Sequence, residues 1–335
     1  MTETFSTPNV QIDGTLCFEC VGEKMSFKDK LITTSGGRQH RFLIRTEANR
    51  DVPSHYGIFF SKALCGREFQ RYPRQRRIAV LSETPNDPSH ERLDSITQQF
   101  DIIYTHQQHL YEKGPPFRRL LLGTNWLVGE ELGQLSHITA SSKSDLVCFV
   151  GSIEHRLTGA YAFRNDVYQY LAKETSVPCY GKGIAPFESK RGVLEPFRFA
   201  IVMENASSNY YFTEKLVDCL LLRTIPIYYG CPDIHHVFDP RGLLQFKTLA
   251  ELRTILASVS DGLYDSMLPY AEYNRQLLLD NDWFSHEGLL RRICEQLTLP
   301  DSCSVAVPSG VSMIVDRAIR RLRNFVRRKL PGKNP

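Results

Sequence analysis

FAIVMENASSNYYFTEKLVDCLLLRTIPIYYG, residues 199–230, is the stretch on which the reading of this chain turns. Its first five residues are continuously apolar and end at Glu204-Asn205, as a strand buried on both faces does. A polar loop follows, then Thr213, a residue able to cap a helix, then the apolar-rich run EKLVDCLLL. Ile225–Tyr229 is a second apolar strand. This is one strand–loop–helix–strand unit of an α/β fold. It gathers Glu204, Asn205, Tyr211, Glu214 and Lys215 at the strand's carboxyl end and the helix's amino end. Ligands of open parallel sheets bind at that place, and exposed helix N–H groups favour anions there. Lys215 in the first turn opposes the helix dipole, which is better explained if it meets a bound anion. Glu214 can accept two hydroxyls, as from a ribose. The same residues also read as a surface Glu–Lys pair with Tyr210 and Tyr211 as packing aromatics.

Working outward, Asp145–Gly151 (DLVCFVG) reads as an apolar strand, and a helix follows near Phe163–Glu174. Arg164 opens that helix, and an arginine fork suits phosphate oxygens. Val177–Tyr180 is a short strand closed by Gly181-Lys182-Gly183, where backbone can approach a ligand closely. Three consecutive strand-to-helix junctions with polar or Gly residues favour one shared cleft. Leu249–Val259, Leu263–Leu278 and His286–Leu297 read as helices. The first half is looser: mixed segments over 1–60, strands at Phe42–Arg45, Tyr56–Phe60, Ile78–Leu81 and Phe100–Thr105, and a helix over Glu91–Gln99. A polar linker is expected at Ser136–Ser144. The division this implies is an N-terminal α/β domain over 1–140, a ligand-binding domain over 141–300, and a tail over 305–335.

At 335 residues, 42 % hydrophobic and 23 % charged, the composition is that of a soluble globular protein. No apolar run approaches the roughly 20 residues that span a bilayer. Met1–Gly14 lacks an apolar signal core, so export is not expected. Nine scattered cysteines, several in apolar runs, fit reduced thiols in the cytoplasm. Cys17 and Cys20 form one CxxC without a second pair at zinc spacing, so no metal is expected there. Asp280-Asn281-Asp282 has the spelling of a metal-bridging acid pair but falls between helical stretches, where it reads as a helix end. From Met313 to Leu330, apolar residues recur at helical spacing among seven basic ones, which describes a basic amphipathic helix. The expectation is peripheral attachment through residues 313–330 to an anionic membrane surface, on its cytoplasmic face; a helix packed on the body is the bland alternative. Nucleic acid is not an expected partner, since only the tail would support it.

With these residues in view, residues 145–300 resemble the donor domain of glycosyltransferase family 10, the α-1,3/α-1,4-fucosyltransferases. The likeness is carried by the strand ending in Glu204-Asn205, by YFTEK (211–215), by the apolar helix and PIYYG (226–230), and upstream by FRNDVYQYL and SVPCYGKG. It implies the GT-B architecture, two Rossmann-like domains facing across a cleft, with the nucleotide sugar on the C-terminal one. It implies GDP-fucose as donor, inversion at the anomeric carbon, and no obligatory metal or other cofactor. By the same resemblance Arg164 and Lys215 hold the diphosphate and Glu214 takes ribose hydroxyls. Asn205 and Tyr211 line the donor pocket, Gly181 lies in the Gly-rich turn, and Glu204 lies near the sugar. The family's base matches Glu83, in Glu83-Thr84-Pro85 after the strand Ile78–Leu81. A carboxylate on a loop at a strand's end is also independently suited to that work. Tyr210-Tyr211-Phe212 and Ala206 depart from the commonest family spelling, which leaves a different nucleotide sugar open. A non-catalytic glycan- or nucleotide-binding module is the alternative of another class. The first 75 residues carry no resemblance, so the acceptor is unassigned beyond a glycan of the cell envelope or one carried on a lipid.

Overall fold

The computed structural model describes residues 15–49, 52–84, 87–127, 135, 138–139, 143–153 and 158–299. The amphipathic tail, and most of the expected linker at 136–144, lie outside the described residues. Two compact units are present among the described residues: those up to residue 80 group with 91–101 and 298–299, and those of 81–90 group with those of 102–297.

In the first unit the chain runs β1 (Leu16–Val21), β2 (Asp29–Thr33), β3 (Gln39–Leu43), β4 (Tyr56–Phe60), α1 (Ser61–Leu64), β5 (Arg77–Leu81) and α2 (Leu93–Gln99). The strands lie in the order β2-β3-β1-β4-β5. Only β2 is antiparallel, to β3; β1 pairs in parallel with β3 and β4, and β4 with β5. The sequence reading has no strand at β1, and the reason is Glu19, an acid in the middle of LCFECV. That carboxylate is buried, 3.2 Å from Arg45 and 2.9 Å from Arg71, and accepts a hydrogen bond from Tyr72 Oη at 2.6 Å. Burial opposes its ionisation, but Arg71 and Arg45 outweigh it and hold the carboxyl below its usual range. Cys17 and Cys20 are both buried within β1.

The second unit contains β6 (Ile102–Thr105), α3 (Gln108–Tyr111), β7 (Phe117–Arg119), β8 (Asp145–Val150), α4 (Gly159–Glu174), β9 (Cys179–Tyr180), α5 (Lys190–Leu194), β10 (Phe197–Met203), α6 (Glu214–Leu221), β11 (Ile225–Tyr229), β12 (Leu244–Gln245), α7 (Leu249–Ser258), α8 (Asp261–Asp280) and α9 (His286–Glu295). Strands β6 and β7 pair in parallel. The larger sheet has the order β12-β11-β10-β8-β9, and every pair in it is parallel. Alternation along its strands sends side chains to two cores. Cys148, Val150, Ala200 and Val202 pack with Leu216, Val217, Leu220 and Leu221 of α6. Phe149, Phe199, Ile201 and Met203 pack with Val167 and Leu171 of α4 and with Leu252, Tyr264 and Met267. Both faces of the sheet are therefore covered, as a doubly wound sheet requires. Truncating one of these buried leucines to alanine costs about 2–5 kcal/mol. Helix α8 ends at Asp280, and Asp282 accepts hydrogen bonds from Ser285 and Arg291 as the chain turns into α9. The Asp-Asn-Asp spelling is thus a helix end.

Candidate active site

The chain leaves β8 for β9 on one side and returns to β10 on the other, so the strand order reverses between β8 and β10. The carboxyl ends of such neighbours form the crevice where open α/β sheets bind ligands. Arg164 of α4 is buried there. Its Nη2 donates to the Met203 carbonyl at 2.9 Å, the Glu204 carbonyl at 3.0 Å and the Asn205 Oδ1 at 2.8 Å. Its Nη1 reaches the Ser152 carbonyl, just beyond β8, at 3.5 Å. One guanidinium thus spans both strand ends. Gly181 belongs to the same rim: its φ is +141°, and a Cβ placed on it would meet the Gly151 carbonyl oxygen at 1.9 Å. Only glycine permits that approach.

Helix α6 begins at this crevice. The Thr213 side chain accepts from the Lys215 N–H, the expected cap. Glu204 is expected beside a sugar, but its carboxylate is 0 % exposed and is occupied from within the protein. It accepts from the Thr213 N–H at 2.8 Å and the Thr213 Oγ1 at 2.7 Å. Burial pushes this carboxyl up, partly countered by Lys215. The Lys215 Nζ lies 3.0 Å from Glu214 Oε1 and 3.5 Å from Glu204 Oε2. Burial disfavours the ammonium, but the two carboxylates outweigh it and raise its pKa. For Glu214 the balance runs to ionisation: burial opposes it, and Lys215 and Lys190 together hold the carboxyl below its usual value. Two acids and one ammonium at a helix start leave a charged, hydrogen-bonding surface on which an anion and neighbouring hydroxyls could be held.

Burial pushes the Tyr211 phenol up, with Glu204, Glu214 and then Glu83 adding to the effect. Glu83 is exposed on the loop after β5. Hydrogen bonds and ion pairs thus gather Arg164, Glu204, Asn205, Glu214 and Lys215 into one cluster at the start of α6.

Three further residues escape a reading of sequence alone. Asp218 is 0 % exposed on the apolar helix α6, where a charge should not be without a partner. Its partner is Lys190, 2.6 Å away, whose Nζ also donates to the Glu214 carbonyl at 3.2 Å. The lone acid in LVDCLLL was the available signal; Lys190 had none. The third is His106, which follows β6, is fully buried, and has its ring 4.7 Å from that of Tyr211. Among the described residues, no group of three or more His, Cys, Asp or Glu side chains is placed to hold a metal.

Residues 140–301 match the model of the glycosyltransferase family 10 (fucosyltransferase) C-terminal domain. This segment is similar to glycosyltransferase family 10. A curated relative, the α-(1,3)-fucosyltransferase FucT of Helicobacter pylori, is 31 % identical over 91 residues, which are 24 % of this chain and 19 % of that protein. The chain therefore aligns with about a fifth of that relative's length. Among solved structures, an α1,3-fucosyltransferase with GDP covers 79 % of this chain and 84 % of its own at 15 % identity and a TM-score of 0.48. A structure of trehalose-6-phosphate synthase covers 85 % of this chain and 94 % of its own at 8 % identity and a TM-score of 0.49. The family 10 segment takes in the whole β8-to-α9 unit and therefore every donor-side residue named above.

Proposed function

We propose that the chain is an inverting glycosyltransferase of GT-B architecture that moves fucose from GDP-fucose to a hydroxyl of a cell-envelope or lipid-linked glycan, without an obligatory metal. The observation that carries this reading is the Lys215–Glu214 pair at the start of α6, beside the switch point of a parallel sheet, inside a family 10 segment. In this reading Glu83 removes the proton from the acceptor hydroxyl. The acceptor oxygen forms its bond to the anomeric carbon as the bond to the β-phosphate oxygen breaks, and GDP leaves. Lys215 faces the charge that develops on the departing diphosphate, and Arg164 adds its field while fixing the strand ends. Glu214, kept ionised, accepts ribose hydroxyls. The basic helix expected over 313–330 would hold the enzyme at the cytoplasmic face of an anionic membrane.

Binding of GDP, UDP and CMP sugars, followed by thermal shift and by nucleotide release, tests the reading. Stabilisation by GDP-fucose with release of GDP in the presence of a glycan is the expected result. Release with another nucleotide sugar would reassign the donor, and binding without release on any acceptor would favour the non-catalytic module. Stabilisation by none of them rejects the proposal.

A further inference from the structure

An open groove of about 460 Å³ lies in the second unit and shares no residue with the donor cluster. It is lined by His235, His236, Asp239 and Arg241 from the turn after β11, and by Tyr273 and Leu277 of α8. Its size is that of a small-molecule site. The turn is fixed to the helix: Asn274 of α8 accepts from the Asp239 N–H at 2.7 Å and donates to the Asp239 carbonyl at 2.9 Å. Gly242 presses so close to α8 that a Cβ on it would meet the Tyr270 carbonyl carbon at 2.7 Å. A groove set before its ligand arrives pays little ordering cost on binding.

The lining points to the class of ligand. Arg241 is bound through Nε and Nη2 to the Asp239 carboxylate, at 3.0 and 2.6 Å, and its guanidinium lies 4.0 Å from the centre of the Tyr270 ring. The acid balances the guanidinium and repels an anion, which disfavours a phosphate. The pair still offers N–H donors and carboxylate lone pairs, and the two imidazoles add donors and acceptors of their own. Beside them stand Leu277 and the Tyr273 ring, 56 % exposed on α8. Hydrogen-bonding groups next to an exposed flat ring match a pyranose, which carries hydroxyls around its rim and an apolar face of C–H bonds. The groove is also joined to the donor side. His236 Nδ1 lies 3.5 Å from Tyr210 Oη, and the Tyr210 N–H donates to Asp233 Oδ1 at 3.0 Å. Tyr210 directly precedes Tyr211 and is held at a φ of +58°, which bulky residues rarely adopt.

We propose that this groove is a saccharide subsite that holds sugar units of the acceptor glycan remote from the reacting hydroxyl. The assignment to the acceptor rests on the transferase reading above, whereas recognition of a neutral saccharide rests on the lining alone.

Saturation-transfer NMR and titration of the full chain with maltotriose, cellotriose and chitotriose test the subsite. Binding of at least one of these probes is expected, with affinity about tenfold lower in Tyr273→Ala and largely restored in Tyr273→Phe, which keeps the ring. Arg241→Ala should weaken binding in the same direction, and it serves if Tyr273→Ala does not fold. Failure of all three probes to bind wild type, or undiminished binding in the folded variants, overturns the subsite. Binding of a saccharide by a wild-type chain that does not bind GDP-fucose is a different outcome: it removes the transferase reading and leaves the groove as a saccharide site.

Discussion

The Lys215 ammonium lies 3.0 Å from the carboxylate of Glu214, its neighbour in sequence, at the first turn of α6. The pair is mostly enclosed, so its charges are weakly screened and each fixes the ionisation of the other. Lys215→Ala removes the cation from two enclosed carboxylates and from any diphosphate bound there. Transfer is expected to fall by at least about 10²–10³-fold. The variant should remain folded with a lowered melting temperature, since Glu204 and Glu214 lose their counter-charge. Full activity in initial-rate assays would reject the donor site.

Glu83 differs from the other acids in being exposed. Its replacement should therefore leave the fold and the nucleotide contacts alone. Glu83→Gln is expected to lower kcat by about 10²–10⁴-fold while donor affinity, measured by titration calorimetry, stays within about twofold. Turnover like that of the parent would mean that another group takes the proton.

His106 makes a prediction in pH. Its folded pKa, near 3, lies below the ordinary value of 6.5. Between those values the unfolded chain takes up a proton at this position and the folded chain does not. The stability tied to the neutral ring is thus complete above about pH 6.5 and is lost as pH falls toward 3. At pH 4 the loss is about 3 kcal/mol. Urea unfolding of wild type and His106→Phe at pH 7 and pH 4 should show the variant to be less acid-sensitive by an amount of that order. Parallel losses in the two proteins would mean that the ring titrates normally.

Deletion of residues 313–335 should abolish flotation with anionic vesicles and leave soluble transfer unchanged. Equal flotation of the full and shortened chains would reject the anchor, and flotation lost in high salt alone would assign the attachment to charge without apolar burial.

The β8–β11 core was legible because apolar strands buried on both faces read as continuous runs, and FRFAIVM and IPIYY do so. The α6 start was legible because its cap is a single local residue, Thr213. Strand β1 was not, since Glu19 breaks its pattern and is satisfied by Arg45 and Arg71, far along the chain. Helix α4 begins at Gly159, earlier than periodicity alone indicates. Site residues on one continuous segment, Asn205 to Lys215, could be read together. The enclosure of Glu204 could not, because it depends on a strand end, a helix cap and Lys215 closing around one carboxylate. Lys190 and His106 are invisible for the same reason: their meaning lies in Asp218 and Tyr211, which only the fold brings near.

Arg164 has one more consequence. Because a single guanidinium is bonded to carbonyls beyond both β8 and β10, the width of the crevice is set before any ligand arrives. Little reorganisation would accompany entry of a nucleotide, and little strain would help to expel it. If GDP is what departs, it leaves a mouth already shaped to keep it. Its escape, rather than the making of the new glycosidic bond, then becomes the step that limits turnover, and free GDP competes with the incoming donor for the same preset opening.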